Sequence, residues 1–359
     1  MTLIGFLAPA FVYVLVTLLH IIVPARAVDG YASSPETGKP YRYRLNGLVV
    51  YWLTIGLWVL ACTSGILAWD FFWTTRWEGL AGACVFGLLF TLGIVLSAPP
   101  TDKNLLADLY LGRFVNPQWL GGRIDAKMWL YLVGATMLGL NIYSFAMHHV
   151  RAFPDDPSPG IVLYMGLFTF FLSEYLFFER VHLYTYDFIA ERVGFKLGWG
   201  CLFFYPYFYG IGLWSVADLP DPRTPVWFLV AAVILFFLGW CFARGANMQK
   251  YLFKRDPAAK FLGLIVPEVL TDGQNRLLAS GFWGMARHVN YLGEFLMAIG
   301  LTLALGFPSH LVPWLYPLYY VALLVPRQRD DDRRCALKYK SLWSAYTKRV
   351  PYRIVPGVY

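Results

Sequence analysis

The chain has 359 residues, of which 58% are hydrophobic, 18% aromatic and only 14% charged, with a formal net charge of +8 and a mean hydropathy of +0.51. A soluble chain carries about 25% charged residues, so a cytosolic globular enzyme is excluded, and so many aromatics exclude a disordered or collagen-like chain. The basic residues sit in short loops between apolar runs, which argues against nucleic acid as the partner of that charge.

A membrane helix needs about 20 mostly apolar residues. Qualifying runs fall at roughly 3–23, 46–68, 79–98, 128–147, 160–178, 197–216 and 226–243, followed by a more polar run at 284–306 and a last one at 310–325. These predict one all-α polytopic membrane domain with about nine spans (9–10). The first run has no basic start and no small-residue cleavage site, so it reads as a span and not as a signal peptide. Loop charge alternates. Arg26, Lys39, Arg42 and Arg44 follow the first span, whereas the next loop holds only Arg76. The same contrast continues to the seventh loop, which holds Arg244, Lys250, Lys254, Arg255, Lys260 and Arg276. The positive-inside rule then puts the N-terminus outside and the tail from Arg327 in the cytoplasm. Residues 28–40 are expected to be a loop. The five cysteines (62, 84, 201, 241, 335) show no paired spacing and read as free thiols. Within the single domain, residues 1–225 are expected to supply N-terminal helices and part of a lipid-side pocket. Residues 226–359 are expected to form a cytoplasmic-side site.

Three polar clusters in the last third run against the grain of a membrane chain, where charge is costly and usually functional. In the first, Asn247, Lys250 and Lys254 share one helix face. Two ammonium groups on one face suit a phosphate, and the plain alternative is a basic cap on the preceding span. The second is Trp283-Gly-Met-Ala-Arg287-His288-Val-Asn290-Tyr291-Leu-Gly-Glu294, a polar stripe at the mouth of an apolar helix. An Arg–Glu pair there could be purely structural. The lone His288 has no second metal ligand at a fixed interval, so no metal is expected. In the third, Arg327, Asp331, Cys335 and Tyr339 step by four along a tail helix that leads to Tyr346. The acidic run 330–332 lacks the second acidic motif of a diphosphate-magnesium site. Cations answer phosphates, a carboxylate accepts from ribose or a carboxamide, and Trp or Tyr stacks on a base. The sum points to a nucleotide pocket, but with no G-x-G-x-x-G after a strand it is not a Rossmann site.

The runs G-F-W-G-M-A-R-H-V-N-Y-L-G-E (281–294) and C-A-L-K-Y…W-S-A-Y-T-K-R-V-P-Y-R-I-V-P-G-V-Y (335–359) resemble signatures of the membrane sterol reductases. That family includes the Δ14-, Δ7- and Δ24(28)-sterol reductases and the membrane domain of the lamin B receptor. G-K-P-Y-R-Y-R-L-N-G (38–47), L-G-R-F-V-N-P (111–117) and R-G-A-N-M-Q-K (244–250) extend the likeness over nearly the whole chain. The resemblance implies NADPH-dependent reduction of a sterol carbon–carbon double bond. Carried over by position, cofactor contacts fall on Lys250, Lys254, Leu278, Trp283, Asn290, Tyr291, Arg327, Asp331, Cys335, Tyr339 and Tyr346, with His288 in the same motif. The family's usual first span is expected to be missing here. The implied partners are a sterol substrate drawn from the bilayer and membrane lipids. The implied home is the endoplasmic reticulum of a eukaryote or the inner membrane of a bacterium.

Val289, Glu294 and Lys254 stand where the family usually has Pro, Asp and Arg. Cys201 and Gly212 replace an Asp and a Gln of the ring-reductase pattern. The stretch from His182 through Asp187, with 198–206, resembles the Δ24(28) side-chain branch instead. An isolated alkene accepts hydride only once a proton makes it a cation, so the site needs a buried acid. Candidates are Tyr209, Glu179, Asp187 and Glu174; each has an ordinary alternative as an interfacial anchor or a helix–helix hydrogen bond. Two other readings stay open: an isoprenylcysteine-type membrane methyltransferase using S-adenosylmethionine, and a non-catalytic sterol-binding protein. The cation surplus of Lys250, Lys254 and Arg327 argues against the first, since a sulfonium does not need it.

Overall fold

The computed structural model describes residues 2–34 and 37–359, and the chain divides into two units, Met1–Pro222 and Arg223–Tyr359.

In the first unit, α1 (Leu3–Ile22) opens behind Thr2, whose hydroxyl accepts the Gly5 N–H at 3.4 Å. The chain then makes an antiparallel hairpin of β1 (Arg26–Ser33) and β2 (Pro40–Leu45), with Arg26 opposite Leu45 and Asp29 opposite Arg42. Of the expected loop at 28–40, residues 28–33 and 40 are strand, and 35–36 lie outside the described residues. The apolar residues alternate, so Val28 and Tyr43 turn inward onto Met128, Leu183 and Phe188, as a half-buried ribbon requires. Helices α2 (Gly47–Thr63), α3 (Arg76–Leu96), α4 (Ala126–Ala152) and α5 (Pro159–Phe177) follow. Helix α4 is the axis: 83% of its apolar window is buried, against 39% for α1, α3 and α5, and it touches α1, α2 and α5. The outer helices show their remaining Leu, Ile and Val outward, as a lipid-facing surface does. Asp125 caps α4 by accepting the Lys127 and Met128 N–H groups at 3.0 and 3.1 Å, a cap worth about 1 kcal/mol. The run 197–216 is not one straight helix. It divides into a π-helical Gly200–Phe204 and short helices Tyr205–Phe208 and Ile211–Val216. Pro206 and the glycines at 198, 200, 210 and 212 are the physical reason.

In the second unit, α6 (Val226–Arg255) and α7 (Val289–Ala304) pack closely. Glycine makes this approach feasible: a Cβ at Gly239 would stand 2.6 Å from the Gly293 carbonyl oxygen, and one at Gly300 2.8 Å from the Phe236 nitrogen. Small residues at such crossings serve helix association in membranes. A short hairpin of β3 (Val269–Thr271) and β4 (Arg276–Leu278) follows α6. The last apolar run continues beyond its expected end as α8 (Leu315–Tyr339), and Lys340, at φ +48°, breaks it from α9 (Ser341–Arg349).

Among the described residues, five helices are long and apolar enough to cross a membrane: α1, α3, α4, α5 and α6. Helices α2 and α7 are apolar but shorter.

Candidate active site

The Ser280–Gly-Phe-Trp283 turn is fixed by Gln249 of α6. Its side-chain amide donates to the Ser280 carbonyl at 3.1 Å and accepts the Phe282 N–H at 3.0 Å. Gly281 sits at φ +59° with Gln249 beside it, so neither the backbone nor the space admits a side chain there. The turn presents Trp283. Its indole N–H donates to the Ala246 carbonyl at 2.8 Å, and its own carbonyl accepts the Tyr346 hydroxyl at 3.0 Å. Lys250 lies one helical turn beyond Ala246, and its ammonium stands 5.4 Å from the Trp283 ring centre, within cation–π range. The first and second clusters thus meet on one aromatic face. Lys254 is one further turn along α6 and half-buried. Leu278 ends β4 and is buried.

The third cluster joins them through Asp332. Its carboxylate accepts Gln328 Nε2 at 2.7 Å and Arg287 Nη2 at 3.4 Å, and lies 3.5 Å from Arg353 Nε and 3.7 Å from His288 Nε2. Burial pushes this carboxyl up, but the neighbouring His288 and the charges of Arg287 and Arg353 outweigh it and hold the group below the usual carboxylate range. The Arg287 and His288 N–H groups donate to the Tyr352 and Arg353 carbonyls at 3.0 and 2.7 Å, so the last ten residues are stitched to the start of α7. Arg287 also donates to the Val350 and Pro351 carbonyls at 3.2 and 3.1 Å. It therefore pairs with Asp332 and the tail; the Arg–Glu reading of the α7 stripe gives way to this arrangement. The sequence reading had singled out Asp331, one position away, which lies 4.0 Å from His288 Nδ1. Asp332, Gln328 and Arg353 were missed, because a charge run offers no way to tell which member faces inward.

The other expected cofactor residues are on the same three segments. Tyr291 is buried and stacks on His288, rings 5.2 Å apart. Asn290 keeps its Oδ1 buried without a hydrogen-bond partner. Cys335 is pushed up to about 12, first by burial and then by Asp331, while Lys250 works the other way, so these three groups share one field. Tyr339 stacks on Trp343 at 6.5 Å, and Trp343 meets Tyr346 in a tilted contact at 5.2 Å. Burial raises the Tyr346 phenol. Arg327 lies one turn before Asp331 on α8.

The four candidate acids of the first unit do not form one constellation. Glu179 is buried and accepts the Gly47 N–H at 3.2 Å. Burial pushes its carboxyl up to about 8. Asp187 is half-buried, and its carbonyl accepts the Lys127 ammonium at 2.6 Å at the start of α4. Glu174 is half-buried near the end of α5. Tyr209 belongs instead beside a later part of α4. Its carbonyl accepts the Tyr164 hydroxyl at 3.2 Å, and the neighbouring Gly210 faces Ile142. Fifteen residues of helix separate Ile142 from Lys127, a rise of about 22 Å. The sequence reading also missed a phenol pair, Tyr51 and Tyr143, whose hydroxyls lie 3.0 Å apart, with Thr169 Oγ1 3.0 Å from Tyr143. Tyrosines inside apolar spans carry no distinguishing signal.

The geometry defines a polytopic membrane protein with a basic, aromatic and polar site built on its C-terminal helices. Comparison places it further: the chain matches the Ergosterol biosynthesis ERG4/ERG24 family over residues 6–359 and belongs to that family. It is an integral membrane protein. It is 32% identical to the Delta(14)-sterol reductase of Arabidopsis thaliana, covering 97% of this chain and 94% of the relative. It is 33% identical to the mouse Delta(14)-sterol reductase TM7SF2, covering 94% and 82%. It is 30% identical to the Delta(14)-sterol reductase of the bacterium Methylotuvimicrobium alcaliphilum, covering 95% and 80%.

Proposed function

We propose that this protein is a sterol reductase that uses NADPH to saturate a carbon–carbon double bond, with the ring Δ14 alkene as substrate. The observation that carries the reading is the approach of Lys250 to Trp283 and to the field of the Asp331–Cys335 helix face within one unit. The relatives named above carry the Δ14 activity in their names; none of the three favours the Δ24(28) lean of the sequence reading.

The residues fit the cofactor. The Lys250 and Lys254 ammoniums and the Arg327 guanidinium answer phosphates. Trp283, fixed by two hydrogen bonds, offers a flat face to a ring. The orphaned Asn290 Oδ1 needs a donor, and a carboxamide N–H₂ is one. When bound, NADPH supplies the hydride. The protein's own part is to provide a proton and exclude water. Glu179 is the proton donor in this reading: a carboxyl at about 8 is still protonated at neutral pH. Its proton would go to one alkene carbon and leave a tertiary cation on the sterol, the carbon that a hydride from the bound cofactor would reduce. Apolar helices keep water from that cation. Asp187, Glu174 and Tyr209 are the alternative donors.

The test is purified protein with NADPH and a panel of Δ14, Δ7, Δ24 and Δ24(28) sterols, read by mass spectrometry. Reduction of the Δ14 sterol is expected. Reduction of a side-chain sterol alone would overturn the Δ14 assignment, and no reduction with no NADPH binding would overturn the enzyme reading.

A further inference from the structure

A hollow lies in the first unit, apart from any group given a role above. Its volume is about 720 Å³, and it is bounded by the last two turns of α3 and by the segment 114–119. Pockets of roughly 300–1,000 Å³ take ligands of drug or sterol size. Its walls are chemically divided. Leu89, Phe90 and Ile94 of α3 and Trp119 of the loop supply an apolar wall. Leu89 is 62% exposed, and α3 is a membrane-spanning helix by length and composition, so this wall is continuous with a lipid-facing surface. Phe90 and Trp119 meet edge to face, 6.3 Å apart.

The other wall holds Asn116 and Gln118, with Ser34, Tyr41 and Ser97 beside them. Asn116 is only 6% exposed. Its Nδ2 donates to the Phe188 carbonyl at 3.3 Å, which fixes the amide orientation and leaves Oδ1 as the acceptor. That Oδ1 is buried with no hydrogen-bond partner. Gln118 is occupied, its Nε2 donating to the Arg42 carbonyl at 3.0 Å and to Asp125 Oδ2 at 3.2 Å. A buried acceptor without a donor costs stability unless a ligand supplies one. The pocket therefore suits a long apolar body with a hydroxyl at its polar end.

We infer that this cavity binds one hydroxysterol, its hydroxyl donating to Asn116 Oδ1 and its ring system lying along Leu89, Phe90, Ile94 and Trp119. The inference rests on the reading that this chain handles sterols, but it concerns binding and needs no turnover. A sterol already saturated at every reducible position is as good a ligand as the substrate.

The experiment uses the full chain in lipid nanodiscs with a saturated sterol that carries a photoreactive diazirine and a free 3-hydroxyl. Cross-linked residues are mapped by mass spectrometry. Label is expected on 89–94 or 114–119. Converting the hydroxyl to its methyl ether removes the donor and should weaken labelling there about fivefold. Gly93→Phe fills the hollow from α3, where an added Cβ meets no atom within 4 Å, and should abolish that label with no loss of thermal stability. Asn116→Ala should match the methyl ether, and Gly93→Phe guards against a folding defect in it. Labelling confined to other segments, or unchanged by both Gly93→Phe and the methyl ether, overturns the proposal, as does displacement of the probe by a diacyl phospholipid but not by free hydroxysterol. Turnover of a Δ14 sterol, measured on the same samples, reports separately on the enzyme reading.

Discussion

Arg287 Nε and Asp332 Oδ1 stand 3.4 Å apart, although 45 residues separate them. The pair ties the mouth of α7 to α8, and Arg287 passes the tie to the Val350 and Pro351 carbonyls. Three stretches distant in sequence are thereby held around Trp283. Arg287 is 6% exposed at its side chain and Asp332 16%. Breaking a fully buried pair costs about 3–5 kcal/mol; the residual exposure lowers this to roughly 2–4 kcal/mol here. Asp332→Asn should lower the melting temperature and weaken NADPH binding together. Arg287→Lys should not rescue, because an ammonium cannot serve carboxylate and carbonyls in one plane. Unchanged melting in Asp332→Asn, followed by scanning calorimetry, would show that the tie is idle.

Lys250 faces Trp283, and with Lys254 and Arg327 it forms the cation set assigned to phosphates. A charge-assisted contact is worth about 1.5–3 kcal/mol, or roughly ten- to a hundredfold in affinity. Lys250→Ala combined with Arg327→Ala should raise the NADPH Michaelis constant by at least that factor and the NADH constant much less. Equal increases for both nucleotides would remove phosphate recognition from these residues.

Glu179 gives the account a pH signature. Its folded carboxyl is pushed up to about 8 from an ordinary 4.5, by burial first. A raised folded value means that its contribution to stability is complete below about pH 4.5 and is lost as pH rises through about 8. Glu179→Gln carries no such charge, so at pH 9 it should melt above the wild type, and the gap should narrow steadily below about pH 8 and close near pH 4.5. As proton donor, Glu179 should make kcat fall above about pH 8, and Glu179→Gln should lose at least a hundredfold in kcat, within the range of about 10²–10⁴ for general acids. A flat pH–rate profile between 7 and 9.5 would transfer the role to Tyr209 or Asp187.

Gly47 offers an independent check on the same carboxyl. A Cβ there would collide with Glu179 Oε1. Gly47→Ala should displace the carboxylate and reduce turnover while leaving NADPH affinity, measured by equilibrium titration, as in the wild type. Normal turnover in Gly47→Ala would mean that Glu179 can move without consequence and is not the donor.

Much of this was legible in the sequence, for reasons that can be named. Long apolar runs such as 3–22 and 226–243 leave a chain little choice but helix. The i, i+4 step from Lys250 to Lys254 marked a polar face on α6. The stretch that begins at Trp283 stood out because Arg287, His288, Asn290, Tyr291 and Glu294 are too much polarity to bury for packing alone at the mouth of an apolar helix. Other features left no such trace. Residues 26–33 and 40–45 carry Gly, Pro and Ser, which read as loop, and they fold as strands because Val28 and Tyr43 find an apolar surface to cover. Whether Asp331 or Asp332 turns inward depends on the phase of α8, which the tail residues Arg353 and Val350 fix from outside the helix. Asn116 was quoted only as part of a motif. Its significance lies in an oxygen left without a donor, which emerges only from three-dimensional packing.

The central claim is that this protein moves a hydride from a nicotinamide to a sterol carbon and a proton from an acid to its neighbour. Isotope tracing tests it most directly. Purified protein is given a Δ14 sterol with NADPH deuterated at the transferring face of C4, first in H₂O; unlabelled NADPH is then used in D₂O, and the product mass is read each time. One deuterium from the nucleotide in the first run and one from solvent in the second is the predicted result. A reduced sterol that gains no deuterium from either face of the labelled nucleotide would contradict it.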